Sequence, residues 1–247
     1  MQIISKSEIG NIREINQDYV IHKQLSENEA LAVLCDGMGG HKAGEVASKL
    51  TCEYIVEHFE SHSPFCNDED IQAWLHQLIN NANQHLMQLS TQNEDYEGMG
   101  TTVVVCYIKD DFGYISHVGD SRCYYCHNDE IMQLTRDDTL VNALVDYGTI
   151  TKEQAKFHPR KNILLQAVGA TEVLKISFIK HEFKHGLLLL CSDGLNNSLY
   201  DQQLCDILVS QSNIENKAYE LIKQSLEFGG NDNISFIILD KGEDKYE

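Results

Sequence analysis

Four aspartates of this chain, Asp36, Asp120, Asp193 and Asp232, each border an apolar run and stand beside a glycine or an asparagine. Short apolar runs predict buried strands, and Gly or Asn beside them predicts tight turns. A sheet that gathers these strand ends would bring the four carboxylates together, where they repel one another unless cations neutralise them. The pattern therefore favours a strand-rich fold built around a cation site, although Asp-Gly, as in Asp36-Gly37, is by itself also a common turn.

Oxygen ligands without a matching His or Cys favour Mg²⁺ or Mn²⁺ over zinc. Two such ions about 3.5 to 4 Å apart would hold and deprotonate a bridging water and clamp a phosphoryl group for in-line attack. Arg13 is one of four arginines, and its guanidinium fork suits two phosphate oxygens. Arg13 and Asp18 share one short polar connection, which alone could equally be an ordinary surface loop.

Net charge and apolar patterning limit the partners and the compartment. The formal charge of −19 argues against nucleic acid and against an anionic membrane surface, since both need basic patches. The N-terminus lacks a signal-peptide pattern and no apolar run is long enough to span a bilayer, so we expect a soluble, cytoplasmic protein. Its eight cysteines should then stay reduced. Cys123 and Cys126 have a metal-like spacing but no second pair, which argues against zinc.

Residue periodicity predicts strands alternating with helix pairs in a chain with no linker-like segment. Predicted helices are 44–55, 68–89, 201–211 and 214–226. Predicted strands are 2–9, 19–23, 30–34, 101–108, 112–118, 122–127, 130–134, 162–168, 174–181, 187–191 and 234–239. A polar segment at about 135–162, with short amphipathic pieces at 140–147 and 151–157, is long for a connection and is predicted to be a flap over the site.

Eight short motifs occur in the order found in a known family. They are Arg13-x-x-Asn16-x-Asp18, Asp36-Gly-Met-Gly-Gly-His41, Gly100-Thr-Thr102, Val118-Gly-Asp-Ser-Arg122, Leu134-Thr-Arg-Asp137, Asn162-Ile-Leu164, Ser192-Asp-Gly194 and Gly229-x-x-Asp232-Asn233. Each motif alone is weak, but together they cover almost the whole chain. In these motifs the chain resembles the metal-dependent protein phosphatases of the 2C type, in their compact bacterial form.

The resemblance implies an α+β fold, a four-layer αββα sandwich of two antiparallel sheets flanked by helix pairs, formed by residues 1–247 as one domain. It implies hydrolysis of phosphoserine and phosphothreonine in proteins, without a phosphoenzyme, with two or three Mn²⁺ or Mg²⁺ ions. It also implies roles for seven residues. Asp36 would bridge two ions, with the Gly37 carbonyl as a further ligand, and Asp193 and Asp232 would bind the second ion. Asp120 and Asp193 would bind a third ion, Asp18 would hold a metal-bound water, and Arg13 would bind the phosphate. Thr101, Thr102 and Asn233 would support these residues, and Ser121 and Arg122 would be structural.

Several positions depart from the family pattern. Met38 stands where many relatives have a histidine that is the usual candidate for the general acid, and a thioether cannot donate a proton. His41 or a water could protonate the leaving group instead, so the acid stays unassigned. Gln17 stands where many relatives have a carboxylate. Asp138 and Gln166 replace residues that bacterial members commonly carry as His and Arg, which affects the flap rather than the ion ligands.

Three functions remain open at this point. The first is an active serine/threonine phosphatase, a monomer that acts on phosphorylated proteins and opposes a cognate serine/threonine kinase. The second is a catalytically weak regulatory module, which would not need Arg13 and the aspartates together. The third is a phosphatase dedicated to one partner, such as a phosphorylated anti-sigma-factor antagonist. Comparing a generic phosphothreonine peptide with one cognate protein separates the first function from the third.

Overall fold

The computed structural model describes residues 1–39, 43–62 and 64–242. The helices in these ranges are α1 Ala43–Phe59, α2 Asp68–Gln92, α3 Leu140–Asp146, α4 Lys152–Lys156, α5 Asp193–Ser198, α6 Asp201–Leu208 and α7 Ile214–Glu227. The strands are β1 Gln2–Glu8, β2 Asp18–Gln24, β3 Glu29–Met38, β4 Gly100–Thr101, β5 Val103–Lys109, β6 Phe112–Val118, β7 Arg122–His127, β8 Glu130–Gln133, β9 Ser177–Glu182, β10 Gly186–Cys191 and β11 Ile234–Gly242.

The strands form two antiparallel sheets. The first sheet has the order β1-β11-β10-β7-β8, and the second has the order β2-β3-β5-β6-β9, with β4 paired to the end of β3. Hairpins build much of this order, because β5–β6 and β7–β8 are each joined by a short turn whose residues take a positive φ, at Asp110 in one and at Asn128 and Asp129 in the other. The predicted α+β sandwich of two antiparallel sheets is confirmed.

Three apolar layers hold the fold together. The middle layer lies between the sheets, and the outer layers lie between each sheet and its helices. On β3 the even-numbered residues from Ala30 to Leu34 face the middle layer, and the odd-numbered residues from Leu31 to Cys35 face α1 and α2. A strand buried on both faces must be apolar throughout, which is why the sequence shows a continuous run here rather than an alternation.

The helices lie on the outer faces of the sheets. Helices α1 and α2 pack on the second sheet, and α2 begins where the Asn67 side chain accepts a hydrogen bond from the backbone N–H of Asp70. Helices α6 and α7 pack on the first sheet, and the short α5 packs on the same side. This side therefore carries a helix pair and one additional helix. No helix formed by the described residues has both the length and the apolar character that crossing a bilayer requires.

One predicted strand is wrong. Residues 162–168 run as an irregular connection that touches its neighbours only at the isolated pairs Thr139–Leu164 and Thr101–Val168. Its apolar residues suggested a strand, yet Ile163 and Leu165 are 45% and 52% exposed, so no sheet covers them. The strand predicted from residue 174 begins later, at Ser177.

Two elements near the aspartates also differ from the sequence prediction. Strand β3 continues through Asp36 to Met38, where a turn was expected, because β4 pairs with its last residues. Residues 193–198 form α5, where no helix was predicted. The two cysteines with metal-like spacing, Cys123 and Cys126, lie on opposite faces of β7 and belong to different apolar layers, so they do not chelate one ion.

Candidate metal and phosphate site

A cleft of about 310 Å³ lies where strand ends from both sheets meet. Asp36 and Asp120 come from the second sheet, at the end of β3 and just after β6, while Asp193 and Asp232 come from the first sheet, just after β10 and just before β11. The fold thus brings the four predicted aspartates to one cleft. The other residues that line it are Arg13, Gln17, Gly37, Met38, Gly39, Thr102, Asn162, Leu164 and Asn233.

Asp18 lies behind this cleft rather than in its lining. It pairs with Asp36 across β2 and β3 and is only 6% exposed. Its Oδ2 accepts a 2.6 Å hydrogen bond from Ser192 Oγ, whereas its buried Oδ1 has no hydrogen-bond partner. A buried carboxylate oxygen without a partner is costly, so this atom fits a bound water or cation.

Two threonines hold the backbone of Asp36. The Thr102 side chain accepts from the Asp36 N–H at 3.0 Å and bonds to Ser121 Oγ at 2.7 Å. The Thr101 hydroxyl donates to the Asp36 carbonyl at 2.8 Å. Because the backbone of Asp36 is satisfied in this way, its carboxylate is left to face the cleft. These contacts fit the supporting roles that the resemblance implies for Thr101 and Thr102, and Ser121, named as structural, holds Thr102.

Asp232 and Asp193 are each held by neighbouring groups, and the backbone N–H of Asn233 donates to Asp232 Oδ1 at 2.9 Å. Arg13 binds Asp232 with both arms of its fork, Nη2 to Oδ2 at 2.9 Å and Nε to Oδ1 at 2.8 Å. Asn197, one turn further along α5, donates to Asp193 Oδ2 at 3.1 Å. Asn233 ties the loops together, since its side chain accepts from the Gln17 N–H and donates to the carbonyls of residues 9 and 15.

Asp120 is positioned by a hydrogen-bond network at the base of the flap. Asp138 Oδ2 accepts from the N–H of Gly119 at 3.0 Å and from Gln166 Nε2 at 2.8 Å, and the Asp138 N–H donates back to the Gly119 carbonyl. Gln166 also bonds both backbone groups of Lys175. The two residues that depart from the family pattern, Asp138 and Gln166, therefore bond to each other.

The electrostatics of the cleft show crowded negative charge. Burial raises the pKa of Asp18 to about 7 and that of Asp193 to about 6, and neighbouring carboxylates add to both shifts. Burial and the charge of Asp193 raise the pKa of Asp120 to about 7. The pKa of Asp36 is raised furthest, by burial and by four surrounding aspartates. Divalent cations relieve this repulsion most directly.

The donor chemistry fits Mg²⁺ or Mn²⁺. Carboxylate and carbonyl oxygens face the cleft, and its described lining contains no His or Cys. In their present conformations, the His, Cys, Asp and Glu side chains of the described residues form no group of three that is close enough to hold an ion. This agrees with the contacts of Asp232 and Asp193, whose oxygens are turned to Arg13 and Asn197. Ion binding would require those two side chains to move toward the centre of the cleft.

Two polar residues that contact the aspartates were missed in the sequence analysis, and one candidate residue lies outside the part of the chain that the structure describes. Ser192 and Asn197 were not assigned, although Ser followed by Asp is a helix-start signal that could have predicted α5. The Ser192 hydroxyl, however, bonds Asp18 rather than capping α5. Arg122 forms a bidentate ion pair with Asp137, which fits the structural role that the resemblance implies. His41, one candidate for the general acid, lies outside the described residues.

Gly37 is predicted to tolerate no side chain. A Cβ at this position would lie 2.0 Å from the Gly44 carbonyl oxygen and 2.6 Å from that of Gln17, both backbone atoms that cannot turn aside. We expect Gly37→Ala to lower the free energy of unfolding by about 3 kcal/mol or more, measured by urea denaturation. Gly148→Ala is the matched control, since its Cβ would meet nothing within 4 Å and only its φ of +68° is unfavourable, at about 1 kcal/mol. Equal losses in both variants would contradict this prediction.

Comparison with known proteins gives one consistent result. Residues 12–227 match the family model described as protein phosphatase 2C. The serine/threonine phosphatase stp of Listeria welshimeri is 35% identical over 237 residues, which cover 96% of this chain and 94% of the relative. The crystal structure of the serine/threonine phosphatase Stp1 from Staphylococcus aureus superposes with a TM-score of 0.90 at 34% identity, over 97% of this chain and 94% of that one. The catalytic domain of PstP, solved in complex with 2 manganese ions, has a TM-score of 0.83 at 32% identity and 97% coverage of both chains.

Proposed function

We propose, because the chain belongs to the protein phosphatase 2C family, that its acidic cleft removes phosphate from phosphoserine and phosphothreonine side chains of proteins. The chain is a serine/threonine protein phosphatase, and the enzyme class follows from near full-length similarity to named phosphatases. The observation that carries the proposed mechanism is the convergence of four half-buried aspartates with one arginine at a single cleft.

Two or three Mn²⁺ or Mg²⁺ ions are proposed as the cofactors. Asp36 and the Gly37 carbonyl would serve two of them, with Asp193 and Asp232 on the second, and Asp120 with Asp193 on a third, more weakly bound ion. When bound, the ions neutralise phosphate oxygens and acidify a water that attacks phosphorus in line. The solved complex of PstP with 2 manganese ions and the oxygen-only donor set of this cleft both support this choice of metal.

The side chains of the chain itself position the reactants. Arg13 is the one cation among the described residues lining the cleft, and its planar fork can bind two phosphate oxygens. Asp18 has a buried oxygen without a hydrogen-bond partner, Oδ1, with which it would accept a hydrogen bond from a bound water and orient that water. Thr102 and Asn233 keep the loops around Asp36 and Asp232 in place through the hydrogen bonds described above.

The leaving serine or threonine oxygen needs a proton. Met38 borders the cleft, is 39% exposed and cannot donate one. No histidine belongs to the lining that the structure describes. The proton donor therefore stays open between a water and His41, which lies outside the described residues.

The organisation of the domain and its partners are further parts of the proposal. Residues 1–247 would form one phosphatase domain, in which the segment at about 135–162 acts as a flap, because Asn162 at its end reaches the cleft lining. The protein would work as a monomer and reverse the action of a cognate serine/threonine kinase. Phosphorylated proteins are its expected substrates.

Isotope labelling tests the proposed mechanism. We expect hydrolysis of a phosphothreonine protein in H₂¹⁸O to place one ¹⁸O atom in each released phosphate, because water attacks phosphorus directly. Protein quenched during turnover of a ³²P-labelled substrate should carry no label. Label retained on the quenched protein would show a phosphoenzyme and contradict the mechanism, while absence of release from every substrate would contradict the function itself.

A further inference from the structure

A run of positive charge lies on α4 and the turn after it. We call Lys152, Lys156, Arg160 and Lys161 the basic strip. These four residues are exposed, and only Glu153 opposes them among residues 152–161. A net charge of about +3 over ten residues is unusual in a chain whose formal charge is −19. The basic strip therefore has a positive net charge, whereas the protein as a whole has a negative one.

The cations of the strip form no close ion pair within the described part of the chain, although Glu153 attracts Lys152 and Lys156. The other three arginines each bind a carboxylate: Arg13 binds Asp232, Arg122 binds Asp137 and Arg136 binds Asp146. Arg160 forms no such ion pair with any described residue, nor do the three lysines of the strip. An exposed guanidinium without an internal partner remains available for a carboxylate or phosphate of another molecule.

The strip adjoins the cleft. Its last residue, Lys161, immediately precedes Asn162, which lines the cleft, and consecutive Cα atoms lie about 3.8 Å apart. The connection after it is anchored, because the Leu140 N–H donates to the Ile163 carbonyl and the Leu165 N–H donates to the Asp138 carbonyl. An extended peptide advances about 3.3 Å per residue, so a peptide with its phosphoresidue in the cleft can reach the strip within a few positions.

We propose that the basic strip selects substrates in which acidic residues flank the phosphorylated serine or threonine. This inference rests on the proposed phosphatase function and specifies its substrate class. The field of a strongly acidic protein repels acidic peptides, and the aspartates of the cleft add to that repulsion. Unpaired cations at the edge of the cleft offset the repulsion locally, and their fork and ammonium groups bind carboxylates directly. Phe157, 88% exposed within the same run, adds an apolar contact beside the charges.

Two phosphothreonine peptides test the selection. They are identical except that four flanking positions carry Asp in one peptide and Lys in the other. We expect wild-type protein with Mn²⁺ to show a kcat/KM about tenfold higher for the Asp peptide at low salt, with the preference shrinking as salt screens it. In Arg160→Glu/Lys161→Glu we expect the preference to disappear or reverse. The control variant Lys6→Glu/Lys223→Glu makes the same change of net charge on β1 and α7. It should retain the preference for the Asp peptide.

Hydrolysis of p-nitrophenyl phosphate, which has no flanking residues, reports on the cleft separately. The selection would be overturned if wild type used both peptides equally or preferred the Lys peptide. It would also be overturned if the two double variants lost the preference equally. The phosphatase function would stand in each of these cases. No phosphate release from either peptide or from p-nitrophenyl phosphate would instead reject the function, and the selection with it. A folded strip variant that hydrolyses p-nitrophenyl phosphate but no longer prefers the Asp peptide is the supporting result.

Discussion

Replacing Asp36 by asparagine should lower kcat for phosphate release by about 10³-fold or more, because the side chain expected to bridge two ions loses its charge. The metal-free variant should nevertheless be as stable as metal-free wild type, or more stable. Burial and four neighbouring aspartates disfavour the ionised form of Asp36, so a neutral amide of the same shape relieves repulsion. Its backbone hydrogen bonds to Thr101 and Thr102 do not involve the substituted atoms.

Phosphate release in the presence of metal measures the predicted loss of activity. Thermal unfolding in excess chelator measures the predicted stability of the metal-free variant. Asp206→Asn is the matched control, since it makes the same change on the exposed face of α6, where its Oδ1 accepts from Gln202. A variant at position 36 that kept a tenth of the wild-type rate would show that the carboxylate is not an essential ligand. A clear drop in the metal-free melting temperature would show that Asp36 stabilises the fold instead.

Removing the side chain of Arg13 should lower kcat/KM by about 100-fold, the usual cost of losing a charged group that binds the reacting oxygens. Arg13→Lys should recover only part of the loss, because an ammonium keeps the charge but not the two-pronged geometry. The effect on stability should be small, since Arg13 is 52% exposed in its ion pair with Asp232 and such pairs contribute little.

Steady-state kinetics on one phosphothreonine peptide, with saturating Mn²⁺, compare the variants. Arg136→Ala provides the control, because it removes an arginine from an exposed ion pair with Asp146 that does not touch the cleft. If Arg13→Ala and Arg136→Ala lose activity equally, the loss reflects the general charge of the protein and Arg13 does not bind the phosphate.

Sequence patterns predicted the parts of the fold that depend on local composition. Strands such as β3 and β10 are buried on both faces, so they appear as unbroken apolar runs, and α2 carries a clear apolar stripe after an acidic first turn. The aspartates were recognisable because each one borders such a run. Their convergence, however, depends on how two sheets pack, which no local pattern encodes.

The remaining contacts of the site join residues that are remote in the chain. Ser192 and Asp18 bond across 174 residues, and Asp138 meets Gln166 across 28. Side chains of these types are common on surfaces, so nothing in the sequence marks them as partners. The false strand at 162–168 has a related cause, since Ile163 and Leu165 of its apolar run are exposed rather than covered by a sheet.

Phosphate release from a phosphothreonine peptide by purified, folded protein, with Mn²⁺, with Mg²⁺ and with excess chelator, tests the metal-dependent cleft most directly. We expect release with either ion, none in chelator, and recovery when Mn²⁺ is added back. Release that continues undiminished in chelator would contradict the role assigned to the aspartates. Absence of release under every condition, from a peptide and from intact phosphoproteins alike, would contradict the phosphatase function.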